Sequence, residues 1–240
     1  MKTFSISDIG KRREMNQDYM YTSENAVGNL PNLFIVADGM GGHKAGEYAS
    51  RYTVETIVES IEKDDSTEPV EVIEHAICKA NEELIKKAAG DEAMSGMGTT
   101  VVVVTVIGKK AWVANVGDSR MYVVGKEIKQ VTRDHSLVEE MVRMGEIAKD
   151  AAKDHPDKNI ITRAVGAADK VVADFFQVNL EPQDYILICT DGLTNMVEDQ
   201  DIRSIINSQR DVAECAERLV RTANDNGGRS EEHTSELQSL

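Results

Sequence analysis

The chain has 240 residues, the length of one large domain or at most two small ones, and its 41% apolar fraction can fill a real core. Lys and Arg number 27 against 42 Asp and Glu, a formal net charge of −15. That balance argues against phosphate-backbone binding as the main task and against anchoring on anionic membranes. It fits cation binding, and it fits solubility alone. Cys78, Cys189 and Cys215 form no CxxC pair and leave an odd count, as in a reducing compartment without disulfides. No apolar run approaches the roughly 20 residues of a bilayer span, and the stretch from Met1 to Ile6 lacks a signal-peptide core. The default is a soluble cytoplasmic protein.

In chain order, residues 3–9 alternate as a half-buried strand would, with Phe4 and Ile6 on one face, and Gly10 breaks them. A polar loop with clustered arginines follows, from Lys11 to Asp18. Phe34, Ile35 and Val36 suit a buried strand. From about Ala45 to Ile61 the period turns helical, with Val54, Ile57, Val58 and Ile61 on one face. Asp64 to Glu68 is a linker, and Pro69 opens a second helix that Gly90 ends. Residues 99–107 are nearly continuous β-branched sequence; 111–116 returns after a Gly-Lys-Lys turn, and 121–124 with 128–131 reads as a hairpin. His135 to Gly145 is predicted helical. Residues 149–159 are charged and without apolar period, a surface segment or flap. Residues 171–178 and 185–190 are predicted strands; 199–207 and 212–223 are amphipathic helices. Helices followed by antiparallel meanders argue against a doubly wound parallel sheet. No internal repeat or composition break marks a second domain. The end, from Gly227 to Leu240, is polar with two lone leucines and neither period, which predicts disorder.

Three apolar runs end at an aspartate: Phe34 to Asp38, Trp112 to Asp118 and Tyr185 to Asp191. One such aspartate is an ordinary loop cap; three together point to one acidic, cation-binding site. The histidines are scattered and no Cys cluster is present, so the ligands are oxygens and the ion a hard one, Mg²⁺, Mn²⁺ or Ca²⁺. A pair of such ions about 3.5–4 Å apart can activate water and clamp a phosphate. An arginine is the natural partner for that phosphate. Arg13 and Arg120 are candidates, with a plain salt bridge the stronger reading for Arg12 and Arg120. A cysteine phosphatase is excluded, because Asn195 stands six residues after Cys189 where an arginine is needed. No P-loop is present, and the glycines 39, 41 and 42 are weak evidence for a phosphate cradle.

Several motifs carry a resemblance: Asn16-Gln17-Asp18, Asp38-Gly39-Met40-Gly41-Gly42, Gly98-Thr99-Thr100, Asn115-Val116-Gly117-Asp118-Ser119-Arg120, Asp134-His135-Ser136, Thr162-Arg163 and Thr190-Asp191-Gly192. In this order the chain resembles the bacterial metal-dependent protein serine/threonine phosphatases of the protein phosphatase 2C class, from about residue 3 to 228. The resemblance implies an α+β fold, a four-layer α-β-β-α sandwich of two antiparallel sheets flanked by helices. It implies two Mn²⁺ or Mg²⁺ ions and a third, weaker one. By position, Asp38 would bridge the pair and the Gly39 carbonyl would bind the second ion. Asp191 would bind the first, Asp118 with Asp191 the third, and Asp18 a metal-held water. Arg13 would grip the substrate phosphate. Catalysis would thus rest on Arg13, Asp38 and Asp191, with metal-activated water attacking phosphorus in line. Residues 147–165 would form the flap implicated in substrate choice. Implied partners are phosphorylated proteins and a cognate Ser/Thr kinase with its targets; no nucleic acid or membrane is implied, and a monomer is the default.

Two departures stand out. Animal members of the family carry histidine directly after Asp-Gly, where this chain has Met40; the general acid is therefore open, and His43 reads equally as a surface residue or as one standing behind the ligands. The family also continues after Gly-Gly-x with an aspartate ligand of the first metal and a closing strand, where this chain has Ser230. On that basis the catalytic domain is expected to span 1–228 without its last strand, and 229–240 to be a disordered, non-native tail. The alternative function is a catalytically impaired module that binds phosphoproteins or a kinase; a metal nuclease is disfavoured by the charge.

Overall fold

A computed structural model describes residues 1–11, 15–42, 44–153, 155–209, 211–227 and 233–239. The chain opens with strands β1 (Lys2–Asp8), β2 (Asp18–Ser23) and β3 (Leu33–Met40), then helices α1 (Lys44–Lys63) and α2 (Pro69–Gly90). A meander follows: β4 (Gly98–Thr99), β5 (Val101–Ile107), β6 (Lys110–Val116), β7 (Arg120–Val124) and β8 (Ile128–Gln130). Helices α3 (Leu137–Met144) and α4 (Lys149–Ala152) lead to β9 (Asp174–Asn179) and β10 (Tyr185–Cys189). Helices α5 (Asp191–Thr194), α6 (Asp199–Ser208) and α7 (Val212–Asn226) precede β11 (His233–Ser239). Local signals account for several boundaries. Pro69 needs no hydrogen-bond donor in the first turn of α2. Ser136 caps α3, its Oγ accepting from Glu139 N at 3.3 Å. Asp211 caps α7, accepting from Ala213 N at 2.8 Å.

The strands form two sheets with antiparallel pairings, one ordered β1-β11-β10-β7-β8 and the other β2-β3-β5-β6-β9, with β4 added against β3. Burial is partitioned by strand parity. Phe34 and Val36 of β3, Val102 and Val104 of β5, Val113, Met121, Ile186 and Ile188 share one apolar cluster between the sheets. Their neighbours Ile35, Ala37, Val101 and Val103 face the opposite way, onto Val54, Ile57, Ile73 and Ile77 of α1 and α2. Leu187 and Cys189 likewise turn outward onto Ile202, Ile206 and Leu219 of α6 and α7. This explains the unbroken β-branched run in β5: a strand covered on both faces has no solvent side on which to alternate. The expected layering of helices, sheet, sheet and helices holds. Among the described residues, no helix is long and apolar enough to cross a membrane.

The structure differs from the sequence reading in three places. β2 is a strand where only the preceding polar loop was predicted; Tyr19, Met20 and Tyr21 carry its β-propensity, but six residues are too few to establish a period. The predicted strand 99–107 breaks at Thr100, between β4 and β5. At the end of the chain, disorder and a missing strand were expected. Instead the backbone of His233–Ser239 is a strand between β1 and β10, with Lys2 opposite Ser239 and Cys189 opposite Ser235. Both flanking strands otherwise offer rows of backbone N–H and C=O groups on that side. A ladder satisfies them without regard to side-chain pattern, which is why side-chain periodicity does not reveal this strand. Ser230 lies outside the described residues.

Phe34 is fully buried between the sheets. Its replacement by alanine should lower unfolding free energy by about 3–5 kcal/mol in chemical denaturation. A loss below about 1 kcal/mol would mean that the sheets do not pack through this side chain.

Candidate active site

The acidic residues sit at strand ends on one side of the sandwich. β2 starts where β3 ends, and the register places Asp18 opposite Asp38. Asp18 is 7% exposed; its backbone N–H donates to Asn16 Oδ1 at 3.0 Å, and its Oδ2 accepts from Thr190 Oγ1 at 3.2 Å. That last bond crosses between the sheets and draws the end of β10, with Asp191 next to it, toward the start of β2. Asp191 opens α5, and its Oδ2 accepts from Asn195 Nδ2 at 2.9 Å.

Asp38 is held by the β4–β5 break. Thr100 N donates to the Asp38 carbonyl at 2.9 Å, Asp38 N donates to Thr100 Oγ1 at 3.0 Å, and Thr99 Oγ1 donates to the same carbonyl at 2.8 Å. Thr100 Oγ1 also lies 2.7 Å from Ser119 Oγ. One buried hydroxyl therefore ties the Asp38 backbone to the turn that carries Asp118. The break in the predicted strand is what frees Thr100 to do this.

Two close approaches explain the glycines. A Cβ on Gly39 would lie 2.0 Å from the Gly46 carbonyl oxygen, because the first turn of α1 rests directly on the end of β3. At Gly117, φ is +108° and a Cβ would meet Thr100 Cγ2 at 2.5 Å. The Gly117 peptide is clamped from the other side as well. Its N–H donates to His135 Nδ1 at 3.0 Å, and its carbonyl accepts from His135 N at 2.9 Å and from Asn115 Nδ2 at 3.2 Å. Nδ1 thus acts as an acceptor, while Nε2 lies 3.2 Å from Asp174 Oδ2 and 3.0 Å from Arg163 Nη1. Burial holds the His135 pKa below its ordinary value despite the pull of Asp174. Burial alone would raise the Asp174 carboxyl, but bonds from Arg163 and His135 outweigh it and hold the pKa low.

Arg120 does not serve as a free phosphate ligand. Its Nε donates to both Asp134 oxygens at 3.0 and 2.9 Å, its Nη2 to Asp134 Oδ2 at 2.6 Å and its Nη1 to Tyr122 Oη at 3.0 Å. The pair is largely buried, the Arg120 side chain 27% exposed. Arg13 and His43 lie outside the described residues.

Acidic side chains are close enough at this end of the sandwich to feel one another. Burial, then the charges of Asp191 and Asp134, push the Asp118 carboxyl up to about 8. Such a set of oxygen donors suits a hard divalent cation. Among the described residues, no group of three or more His, Cys, Asp or Glu side chains is drawn together closely enough to hold a metal as they stand. The sequence reading passed over Thr100, Thr190 and His135 as working parts. They occur inside recognisable motifs, but their hydrogen bonds join segments far apart in the chain.

The chain is similar to known proteins. The family description of protein phosphatase 2C matches residues 10–237. Protein phosphatase PhpP of Streptococcus pneumoniae is 40% identical over 232 residues, 95% of this chain and 93% of that protein. A serine/threonine phosphatase from Staphylococcus aureus superposes with a TM-score of 0.92 at 33% identity, covering 100% of this chain and 94% of the other. The catalytic domain of the serine threonine protein phosphatase PstP, solved in complex with 2 manganese ions, superposes with a TM-score of 0.85 at 26% identity, over 100% of this chain and 98% of that one.

Thr100→Val keeps the methyl group that packs on Gly117 but leaves the Asp38 N–H without its acceptor. It should cost about 1–3 kcal/mol in denaturant unfolding of chelator-treated protein. Thr100→Ser, which keeps the hydroxyl, should lose less; equal losses would assign the effect to packing. A second expectation concerns pH. Asp118 is raised above its ordinary 3.8 in the folded chain, so its contribution is fully present below that value and is lost as pH rises through about 8. Chelator-treated Asp118→Asn should therefore gain melting temperature relative to the parent as pH rises from about 5 to about 9. A gap that does not change with pH would show that Asp118 ionises without penalty.

Proposed function

The chain belongs to the protein phosphatase 2C family and is a protein serine/threonine phosphatase, and from that premise we propose that it hydrolyses phosphoserine and phosphothreonine in proteins by a metal-assisted attack of water. The observation that supports this reading is the bonding of Asp38 to Thr100, Thr100 to Ser119 and Thr190 to Asp18. Through it, aspartates from separate strands share one end of the sandwich. In this reading Asp38 would be shared by both ions of a binuclear Mn²⁺ or Mg²⁺ centre, with the Gly39 carbonyl serving the second ion and Asp191 the first. Asp118 with Asp191 serves a third ion, and Asp18 orients water at the centre. When bound, the ions supply Lewis acidity that activates water and offsets phosphate charge.

The chain's own residues do the rest. Thr100 and the clamped Gly117 fix the spacing between Asp38 and Asp118, so that little reorganisation is needed when substrate arrives. Arg13 grips the phosphate through its planar fork. Arg120, saturated by Asp134, braces the turn next to Asp118 and leaves the phosphate to Arg13. The biological partners in this reading are phosphoproteins and the Ser/Thr kinase that makes them. The rival, a module that binds without turnover, rests on Ser230, and no described feature favours it.

The test is phosphate release from p-nitrophenyl phosphate and from a phosphothreonine peptide with Mn²⁺ added or chelated. Hydrolysis should require the metal. Asp38→Asn should lose both Mn²⁺ affinity by calorimetry and turnover, by more than about 100-fold. Arg13→Ala should act mainly on KM. Full turnover by Asp38→Asn would overturn the assignment of the centre.

A further inference from the structure

Helix α2 lays an apolar face on the sheet, and one polar side chain stands in it. Asn81 is 1% exposed, while its buried neighbours on the helix, Ile77, Ala80 and Leu84 among them, are apolar. A buried amide is costly unless its acceptor and donors are bonded, and those of Asn81 all go to one segment of chain. Its Oδ1 accepts from Gly166 N at 2.7 Å, and its Nδ2 donates to the carbonyls of Ala168 at 3.0 Å and Asp169 at 3.4 Å. The segment sits tightly on the helix: Gly166 has φ +86°, and a Cβ there would lie 2.6 Å from Leu84 Cδ2. From Gly166 the connection to the catalytic end is one residue long. Val165 is fully buried and exchanges two backbone bonds with Thr99. Thr99 N donates to the Val165 carbonyl at 3.0 Å, and Val165 N donates to the Thr99 carbonyl at 2.9 Å. β4 is two residues long, and Val165 lies along one side of it. Along the other side lies the end of β3, with Thr99 opposite Gly39 and Gly98 opposite Met40. Thr99 Oγ1 in turn holds the Asp38 carbonyl.

We infer that Asn81 is a positioning residue for the catalytic end: by fixing Gly166 and Val165 against α2 it fixes Thr99, and through Thr99 the backbone of Asp38 and Gly39. Both main-chain groups of Thr99 are bonded to Val165, so Thr99 moves if Val165 moves. Asparagine suits the place because one planar group offers an acceptor and two donors, which meet one N–H and two carbonyls of the same turn. A leucine of similar volume would leave all three backbone groups unbonded in the interior. The same segment reaches a second support of the site. Three residues before Gly166, Arg163 Nη1 donates to Asp174 Oδ1 at 2.8 Å, and the other Asp174 oxygen faces His135. Geometry at a reacting centre depends on such a shell behind it, and a displacement of about 1 Å far from the chemistry can lower a rate about 100-fold. Asn81 touches no reacting atom; its structural role stands by itself, and its catalytic consequence rests on the phosphatase reading above.

The experiment compares the full-length parent with Asn81→Leu and, as a control for lost stability alone, Leu219→Ala, whose side chain is fully buried in the apolar layer of α6 and α7. In chelator-treated protein, amide hydrogen exchange is read at Gly166, Val165 and Thr99, and at Val103 and Val113 in the larger sheet. Asn81→Leu should speed exchange about tenfold or more at the first three sites and leave the other two within about twofold. A rise at Gly166 alone, or an equal rise at all five sites, overturns the inference. With saturating Mn²⁺, Asn81→Leu should lower kcat for p-nitrophenyl phosphate about tenfold and leave KM within about twofold. Calorimetry should show Mn²⁺ bound about tenfold more weakly. Leu219→Ala should keep the parent's kcat and Mn²⁺ affinity below its melting temperature; equal losses in the two variants would reduce the role of Asn81 to general stability. Should Asn81→Leu fail to fold, the parent decides: Thr99, Val165 and Gly166 must open together with one common dependence on denaturant, and separate openings sink the proposal. A parent that neither binds Mn²⁺ nor releases phosphate counts against the phosphatase reading instead, and the exchange pattern alone then decides what Asn81 holds.

Discussion

At one end of the sandwich the buried Asp118 carboxyl stands within the field of the half-buried Asp191, and much of the surrounding structure is arranged to hold them there. Asp134 adds a third negative charge nearby, but it is bound by the guanidinium of Arg120. Burying a carboxylate is expensive, and the strands that deliver this cluster are fixed by packing elsewhere. Phe34 and Val36, on the strand that ends with Asp38, and Ile186 and Ile188, on the strand just before Asp191, supply that packing.

Precision at the site comes from a small number of buried hydroxyl and imidazole contacts. Thr100 touches Asp38, Ser119 and, in space, Gly117. His135 bonds both the N–H and the carbonyl of Gly117 and is itself held by Asp174. These residues present nothing to solvent, and each bond joins segments that are distant in sequence. A site built this way is rigid where the phosphate reacts. The 149–159 segment, by contrast, is carried on a four-residue helix and loops outside the sandwich.

That contrast explains what the sequence makes legible. The helices α1 and α2 and the doubly covered strand β5 declare themselves through period and composition, since their burial is dictated by long apolar faces. Asp38, Asp118 and Asp191 are legible because each ends an apolar run, and a carboxylate at the edge of a core invites a reason. β2 and α5 are too short to carry a period. Arg120 illustrates the limit for side chains. Its type suits phosphate, but the sequence cannot show that Asp134, fourteen positions later, already occupies the fork. β11 is the extreme case: its place is set by the backbone ladders of β1 and β10, and its side-chain pattern announces nothing.

The division between a packed catalytic end and the 149–159 segment outside the sandwich also bears on how one fold can serve different substrates. Chemistry needs the aspartates fixed to within a fraction of an ångström, and that demand falls on residues buried between the sheets and under the helices. Segments outside the sandwich are under no such demand, because a loop carried on a rigid scaffold can differ without moving the contacts of Asp38, Thr100 and His135.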